Sequence, residues 1–341
     1  MDAVYIGILS PGSTSRMRAE CLGALTPEWN WRWVDTDPSM VQSGRAWRTL
    51  AFRLKTGWAV NRINDVVLRG LSGRGFDLAW VDKAVFLRPE TVRHLRRRAK
   101  RLVHFTPDTA FHENRSRYFR RTARLYDLLV TTKQFEVDDY YRISGGDNVF
   151  VTTQGYDARV HFPRAASDER RREAVFVGLA EPDRERCIGT LLDFGIPVRL
   201  AGHGWDRLLR RRRDCKLLAF EGEEVFGAGY ASMLSRSWIG LGLLSKRFPE
   251  LHTTRTFEIP ACGAVLATEA TTDTSRFFNE NEAVFFGDYT HLAARLRSLL
   301  REESTASLSA TADAGRRRVV EDGRDYASIL SAILADCRVA I

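Results

Sequence analysis

The chain has 341 residues, long enough for two domains, because a single core rarely grows past roughly 250–300 residues. Its 44% hydrophobic and 28% charged content excludes a disordered chain, and no apolar run approaches the ~20 residues of a membrane helix. The net charge of +9 is carried by 46 arginines and only six lysines. It comes without zinc-finger spacing, an RNA-binding aromatic signature or a basic leucine zipper. That argues against a nucleic-acid partner; the basic runs read first as solvated helix faces, with an anionic acceptor or peripheral contact with a membrane surface as the alternatives.

The N-terminal MDAVYIGILSPGS has no basic stretch before its apolar run and reads as a first buried strand, not a signal peptide. In the first half strands are predicted at 4–9, 31–35, 78–81, 102–105, 128–131 and 149–152, with helices at 15–25, 45–71, 89–98, 115–125 and 135–143. In the second half strands are predicted at 174–177, 198–201, 217–220, 238–243, 264–268 and 283–286. Helices are predicted there at 184–194, 223–234, 291–301 and 305–321, and a last one at 326–337. Strands alternating with helices predict an α/β fold with two doubly wound parallel sheets. The hinge falls at 154–164, QGYDARVHFPR, where Gly, Asp and Pro cluster and no periodicity crosses. This gives domains 1–155 and 156–323, with a C-terminal helix within 324–341. Cys21, Cys187, Cys215, Cys262 and Cys337 form no Cys-x-x-Cys pair, which argues against a zinc site or disulfide framework and for a reducing cytoplasm.

Open α/β sheets bind ligands at the carboxyl ends of their strands. Gly12, Asp108, Gly178 and His203-Gly204-Trp205 all follow predicted strands. The densest stretch is FPELHTTRTFEIPACGAVLATE, 248–269. Seven residues separate its acids Glu250 and Glu258. A short helix starting at Thr254 runs between Glu250 and the closing Gly263, with Pro260 bending its end. Its first amides are a seat for phosphate, with Arg255 adding charge. Glu258, a turn further in, is placed to accept from a ribose diol. Each residue also has a plainer reading. Arg255 can be an interhelix ion pair, Glu258 a buried acid satisfied by backbone N–H groups, Glu250 a loop acid, Asp108 a helix cap and Trp205 a packed ring. Asp35-Thr36-Asp37 has the letters of a metal signature but reads as a cap or turn. Cys262 reads as a small packed residue.

The string Arg255-Thr-Phe-Glu258-Ile-Pro-Ala-Cys-Gly263 closely resembles the R-x-F-E-x-x-A-C-G motif of the CgeB-like spore-maturation glycosyltransferases, relatives of the family 4 retaining enzymes. Asp77–Lys83, His104–Asp108, Gln154–Pro163, Val175–Gly178 with Arg184, and Ala201–Trp205 agree in order. The resemblance implies a GT-B fold: two Rossmann-like domains facing across a cleft, donor on the second, acceptor mostly on the first, and the last helix returning to the first. It implies a transferase that moves a sugar from a nucleotide sugar to an acceptor hydroxyl, with retention, without metal or other cofactor. The acceptor is left open among natural products, glycans and proteins. Under this resemblance Glu258 binds the ribose, Glu250 stands near the transferred sugar and Arg184 near the diphosphate. Gly12 matches the loop that approaches the donor, and Thr254, Gly263, Gly178 and His203 join the donor set. Asp108 is the candidate base, and His104 has no firm role. A nucleotide-sugar epimerase of the same fold and a non-catalytic nucleotide-sugar-binding protein are the alternatives.

Overall fold

The computed structural model describes the chain apart from residues 43, 74, 147 and 338–341. It divides into two compact units, one of Met1–Thr153 joined by the chain's end from Tyr326, the other Gln154–Asp325. The first unit runs β1 (Asp2–Gly7), α1 (Thr14–Leu25), β2 (Asn30–Asp35), α2 (Asp37–Val41), α3 (Gly44–Leu54), α4 (Trp58–Gly70), β3 (Phe76–Asp82), α5 (Pro89–Arg98), β4 (Ala99–Thr106), α6 (Arg117–Thr122), β5 (Leu128–Thr131), α7 (Val137–Ser144) and β6 (Val149–Val151). The second runs β7 (Arg171–Val177), α8 (Pro182–Asp193), β8 (Val198–Ala201), α9 (Asp206–Arg211), β9 (Leu218–Phe220), α10 (Gly227–Ser235), β10 (Ser237–Leu241), α11 (Arg255–Ala261), β11 (Val265–Glu269), α12 (Thr274–Phe277), β12 (Val284–Phe286), α13 (Tyr289–Leu299) and α14 (Thr305–Glu321). Helix α15 (Tyr326–Asp336) belongs to the first unit again and packs on α1.

Each unit holds one six-stranded sheet, ordered β2-β1-β3-β4-β5-β6 and β12-β11-β10-β7-β8-β9. All neighbouring strands are parallel. Such sheets are covered on both faces, which explains why strands like β3 and β10 read as continuous apolar runs. The core of the first unit gathers Val4, Ile6, Val81, Leu102 and Leu129; that of the second, Phe176, Leu200, Trp238, Leu241 and Leu266. The order reverses direction between β1 and β3 in the first sheet and between β7 and β10 in the second. At such switch points the loops diverge and open a crevice above the strand ends.

Two features hold the first unit. Arg18 of α1, fully buried, donates to both carboxylate oxygens of Asp82 at 2.8 and 3.1 Å, and the Tyr5 hydroxyl donates to the same carboxylate at 2.8 Å. The Arg18 guanidinium lies over Phe105 and over Tyr326 of α15, which seats the last helix. The predicted helix 45–71 is in fact two. Lys55 and Gly57 adopt positive φ of 53° and 99°, and the chain turns between α3 and α4. Asp35 is a turn residue: its Oδ1 accepts the N–H groups of Leu9 and Asp37, and Asp37 opens α2.

Candidate functional site

The switch point of the second unit lies between β7, which ends before Gly178, and β10, which leads into Gly242–Ser245. Two arginines converge there from separate helices. Arg184, in the first turn of α8, is 6% exposed. Its Nη1 donates to Leu179 O at 3.0 Å, its Nη2 to Leu243 O at 3.4 Å, and it pairs with Glu181 at 3.0 Å. Arg255, the first residue of α11, donates Nη2 to the same Leu243 oxygen at 3.2 Å. Both guanidiniums lie over the Phe176 ring, at 5.6 and 5.3 Å. In each, the Nε is buried with no hydrogen-bond partner among the described residues. Burial, then the neighbouring charge of Arg255, brings Arg184 down to about 10, against the opposing pull of Glu181, Glu250 and Glu269. Two like charges are thus held side by side, each with a buried donor to spare.

Gly178 is the floor. A Cβ there would stand 3.0 Å from the Phe176 ring and 3.5 Å from Arg255. Its carbonyl accepts the indole N–H of Trp205 at 2.9 Å, and Trp205, buried, packs edge-on to Phe176. Gly202, at φ +119°, lies so close that a Cβ would meet Gly178 O at 2.2 Å. No residue with a side chain fits there.

Carboxylates ring the same strand ends. Glu250 accepts the Ser245 N–H at 2.8 Å, and Ser245 Oγ donates to Glu181 at 3.0 Å. Glu269, at the end of β11, accepts the Leu244 N–H at 3.2 Å and pairs with Lys246 at 3.2 Å; burial raises its carboxyl. Sequence reasoning passed over Glu269, although its place directly after a predicted strand was the available signal. Glu258 is buried on α11. Its Oε2 accepts the Tyr230 hydroxyl at 2.7 Å, and His161 Nε2 stands 3.8 Å from its Oε1. The plainer reading expected backbone donors for this acid; a phenol of α10 supplies the bond.

Other expectations fare unevenly. Three amides at the start of α11 bond locally: Thr256 N–H to Thr253 O, and the N–H groups of Phe257 and Glu258 to Thr254 O. Thr254 caps nothing with its side chain. Gly263 stands at the other end of α11, in the left-handed conformation at φ +81°. Its carbonyl takes a bond from Arg170, and β11 begins just after it. It terminates a helix at the amino ends of the strands and is not brought together with the arginines. The His203 ring is exposed and paired with Glu223 at 3.1 Å, while Trp205 is the packed ring of the plainer reading. His252 is buried between Asp273, at 2.7 Å, and the Gln154 N–H, at 3.2 Å. Cys262 is buried, and burial pushes its thiol up, away from thiolate chemistry.

In the first unit Asp108 follows β4 and pairs with Lys83 Nζ at 2.5 Å. Burial pushes its carboxyl up, but Lys83, with Lys133 and Arg18, outweighs burial and holds it below the ordinary value. That suits a charge partner better than a proton acceptor. His104 is a core residue: its Nε2 accepts the Ala84 N–H at 3.2 Å, its ring stacks on Phe119, and burial alone drops it to about 3. Gly12, at φ +79°, lies in the loop between β1 and α1. At the β1–β3 switch point an apolar cavity is lined by Ile6, Ile8, Met40, Phe52, Ile63 and Phe86, with Lys83 at its edge. Among the described residues no cluster of three or more metal-ligating side chains occurs.

Residues 181–335 match the family model described as glycosyl transferase-like. Comparison with curated proteins returned no match. Among solved structures, the chain is similar to sucrose-phosphate synthase from Thermosynechococcus elongatus, with 14% identity, 98% of each chain covered and a TM-score of 0.66. It is also similar to the Anabaena protein HepE in complex with UDP-glucose, with 14% identity, 100% of each chain covered and a TM-score of 0.63. A structure of trehalose-6-phosphate synthase, studied for glycosyl transfer with retention, matches at 13% identity over 100% of this chain and 99% of that one, with a TM-score of 0.63. The two parallel six-stranded sheets thus make up a GT-B fold, and the segment that bears both arginines and both acids of the 248–269 stretch lies within the glycosyl transferase-like match.

Proposed function

We propose that the protein is a glycosyltransferase that takes a sugar from a nucleoside diphosphate sugar and passes it to an acceptor hydroxyl, with retention and without a metal. The observation that carries this reading is the convergence of Arg184 and Arg255 on the Leu243 carbonyl at the β7–β10 switch point. Departure of a diphosphate builds negative charge on its oxygens, and two fixed guanidiniums stabilise that charge where a metal would otherwise serve. Glu258, oriented by Tyr230, is assigned to the ribose, and Glu250, fixed by the Ser245 N–H, to the sugar. Asp108 is assigned to the acceptor side as a charged contact through Lys83, and Gly12 to the loop that approaches the donor. The five free cysteines accord with a cytoplasmic setting.

HepE was solved with UDP-glucose, so UDP and UDP-glucose are the first probes. Calorimetric titration should register UDP binding to the wild type and at least tenfold weaker binding to Glu258→Ala. Free UDP should appear from UDP-sugars only when an acceptor hydroxyl is supplied. Failure of every common nucleoside diphosphate to bind would reject the reading, and undiminished affinity in Glu258→Ala would remove that residue from the donor site.

A further inference from the structure

The first unit carries a surface that the donor reading does not use. Between Asp37 and Asp65 the sequence contains no acidic residue and five basic ones, Arg45, Arg48, Arg53, Lys55 and Arg62. The same stretch holds Val41, Trp47, Phe52, Leu54 and Trp58, all exposed large apolar side chains; Trp47 is 52% and Leu54 56% accessible. Trp47 and Leu54 are seven residues apart on α3, two turns along one line of the helix. Ala51 faces inward, against the small cluster of Ala59, Val60 and Tyr118. So α3 turns Ala51 inward and shows Trp47 and Leu54 to solvent. Arg48 and Arg53 are exposed beside them, and Arg62 lies over the Trp58 ring at 4.7 Å.

We infer that α3 and the start of α4 form a docking surface for an anionic lipid bilayer. Aromatic and aliphatic side chains interleaved with arginine, with no acid between them in the sequence, are the chemistry of an interfacial helix. The apolar row enters the acyl boundary, Trp settles at headgroup depth and arginine meets phosphate. A second copy of this chain is a poor occupant, because a two-fold interface would set this basic stripe against itself. Among the described residues no helix is long and apolar enough to cross a membrane, so the contact is peripheral. This inference stands apart from the donor site, since none of its residues belongs to the second unit.

Flotation with vesicles of phosphatidylcholine alone, or with 30% phosphatidylglycerol, tests it. The wild type should float with the anionic vesicles and at least tenfold less with the neutral ones or in 0.5 M salt. Trp47→Ser with Leu54→Ser should cut anionic binding at least tenfold, and Arg48→Gln with Arg53→Gln by about fivefold per charge. Both double variants should melt like the wild type and keep its UDP affinity. Equal recovery on neutral and anionic vesicles would overturn the inference. So would undiminished flotation of the Trp47/Leu54 variant, or a dimer or DNA complex that this variant abolishes while wild-type flotation is absent. A wild type that floats but binds no nucleotide would count against the donor reading alone.

Discussion

Arg255→Gln should weaken nucleotide binding without weakening the fold. Both Nη2 atoms reach the Leu243 carbonyl, at 3.4 and 3.2 Å, so they stand within about 7 Å of each other. At an effective dielectric near 20, two unit charges at that distance repel by about 2 kcal/mol. The substitution relieves this repulsion. It gives up a hydrogen bond worth about 1 kcal/mol, which the Gln amide partly restores, and a contact with Phe176 worth about 0.5–1 kcal/mol. The two sides nearly cancel, so the unfolding free energy should change by less than about 1 kcal/mol. The diphosphate loses a charge-assisted bond worth about 1.5–3 kcal/mol, or about 10–150-fold in affinity. Urea denaturation and calorimetric titration with UDP measure the two effects separately. A variant that binds UDP as the wild type does, or that loses several kcal/mol of stability, would refute the argument and make Arg255 a structural ion.

Three further outcomes follow from the fold. Arg18→Met should cost about 3–5 kcal/mol, because it strands the buried Asp82 carboxylate; adding Asp82→Leu should recover most of the loss, and urea midpoints of the two variants decide it. Burial holds His104 at about 3 against an ordinary 6.5, so the unfolded chain binds one more proton between those values. Stability from this group is therefore full above pH 6.5 and is lost as the pH falls towards 3, by up to ~1.4 kcal/mol per unit. His104→Phe should flatten that limb, and denaturation at pH 7, 5 and 4 would expose an unchanged slope. Gly202→Ala should abolish folding of the second unit or lower its melting temperature by many degrees, since the new methyl would fall 2.2 Å from Gly178 O; a wild-type calorimetric melt would contradict the packing described.

The strands were legible because a parallel strand covered on both faces is written as an unbroken apolar run; β5 and β8 fall where those runs do. The break after α3 was not, since Trp58–Gly70 carries the same helical spacing and only the positive φ values of Lys55 and Gly57 separate the two helices. In the site, Arg184, Arg255 and Gly178 were all named from the sequence, but their meeting was not visible. It depends on a backbone carbonyl, Leu243 O, which no side-chain motif encodes. Gly263 was grouped with them because it is close in sequence, whereas seven helical residues carry it to the other end of the strands. The pairings of Glu258 with Tyr230 and of His203 with Glu223 join segments about 20 to 30 residues apart, beyond the reach of local spacing. The bared face of α3 lay inside a stretch read simply as a long helix, and the missing acids around it were the unread signal.

The return of α15 to the first unit has a consequence for how the chain is made. The second unit is one continuous segment, complete once Asp325 has left the ribosome. The first unit begins earlier but finishes later, because Arg18 and the exposed side of α1 have no cover until Tyr326 and the helix behind it arrive. Domains fold as they emerge, at about 5–20 residues per second. The domain synthesised first is thus the last to close, and for much of synthesis α1 presents an open apolar flank to whatever chaperones attend it.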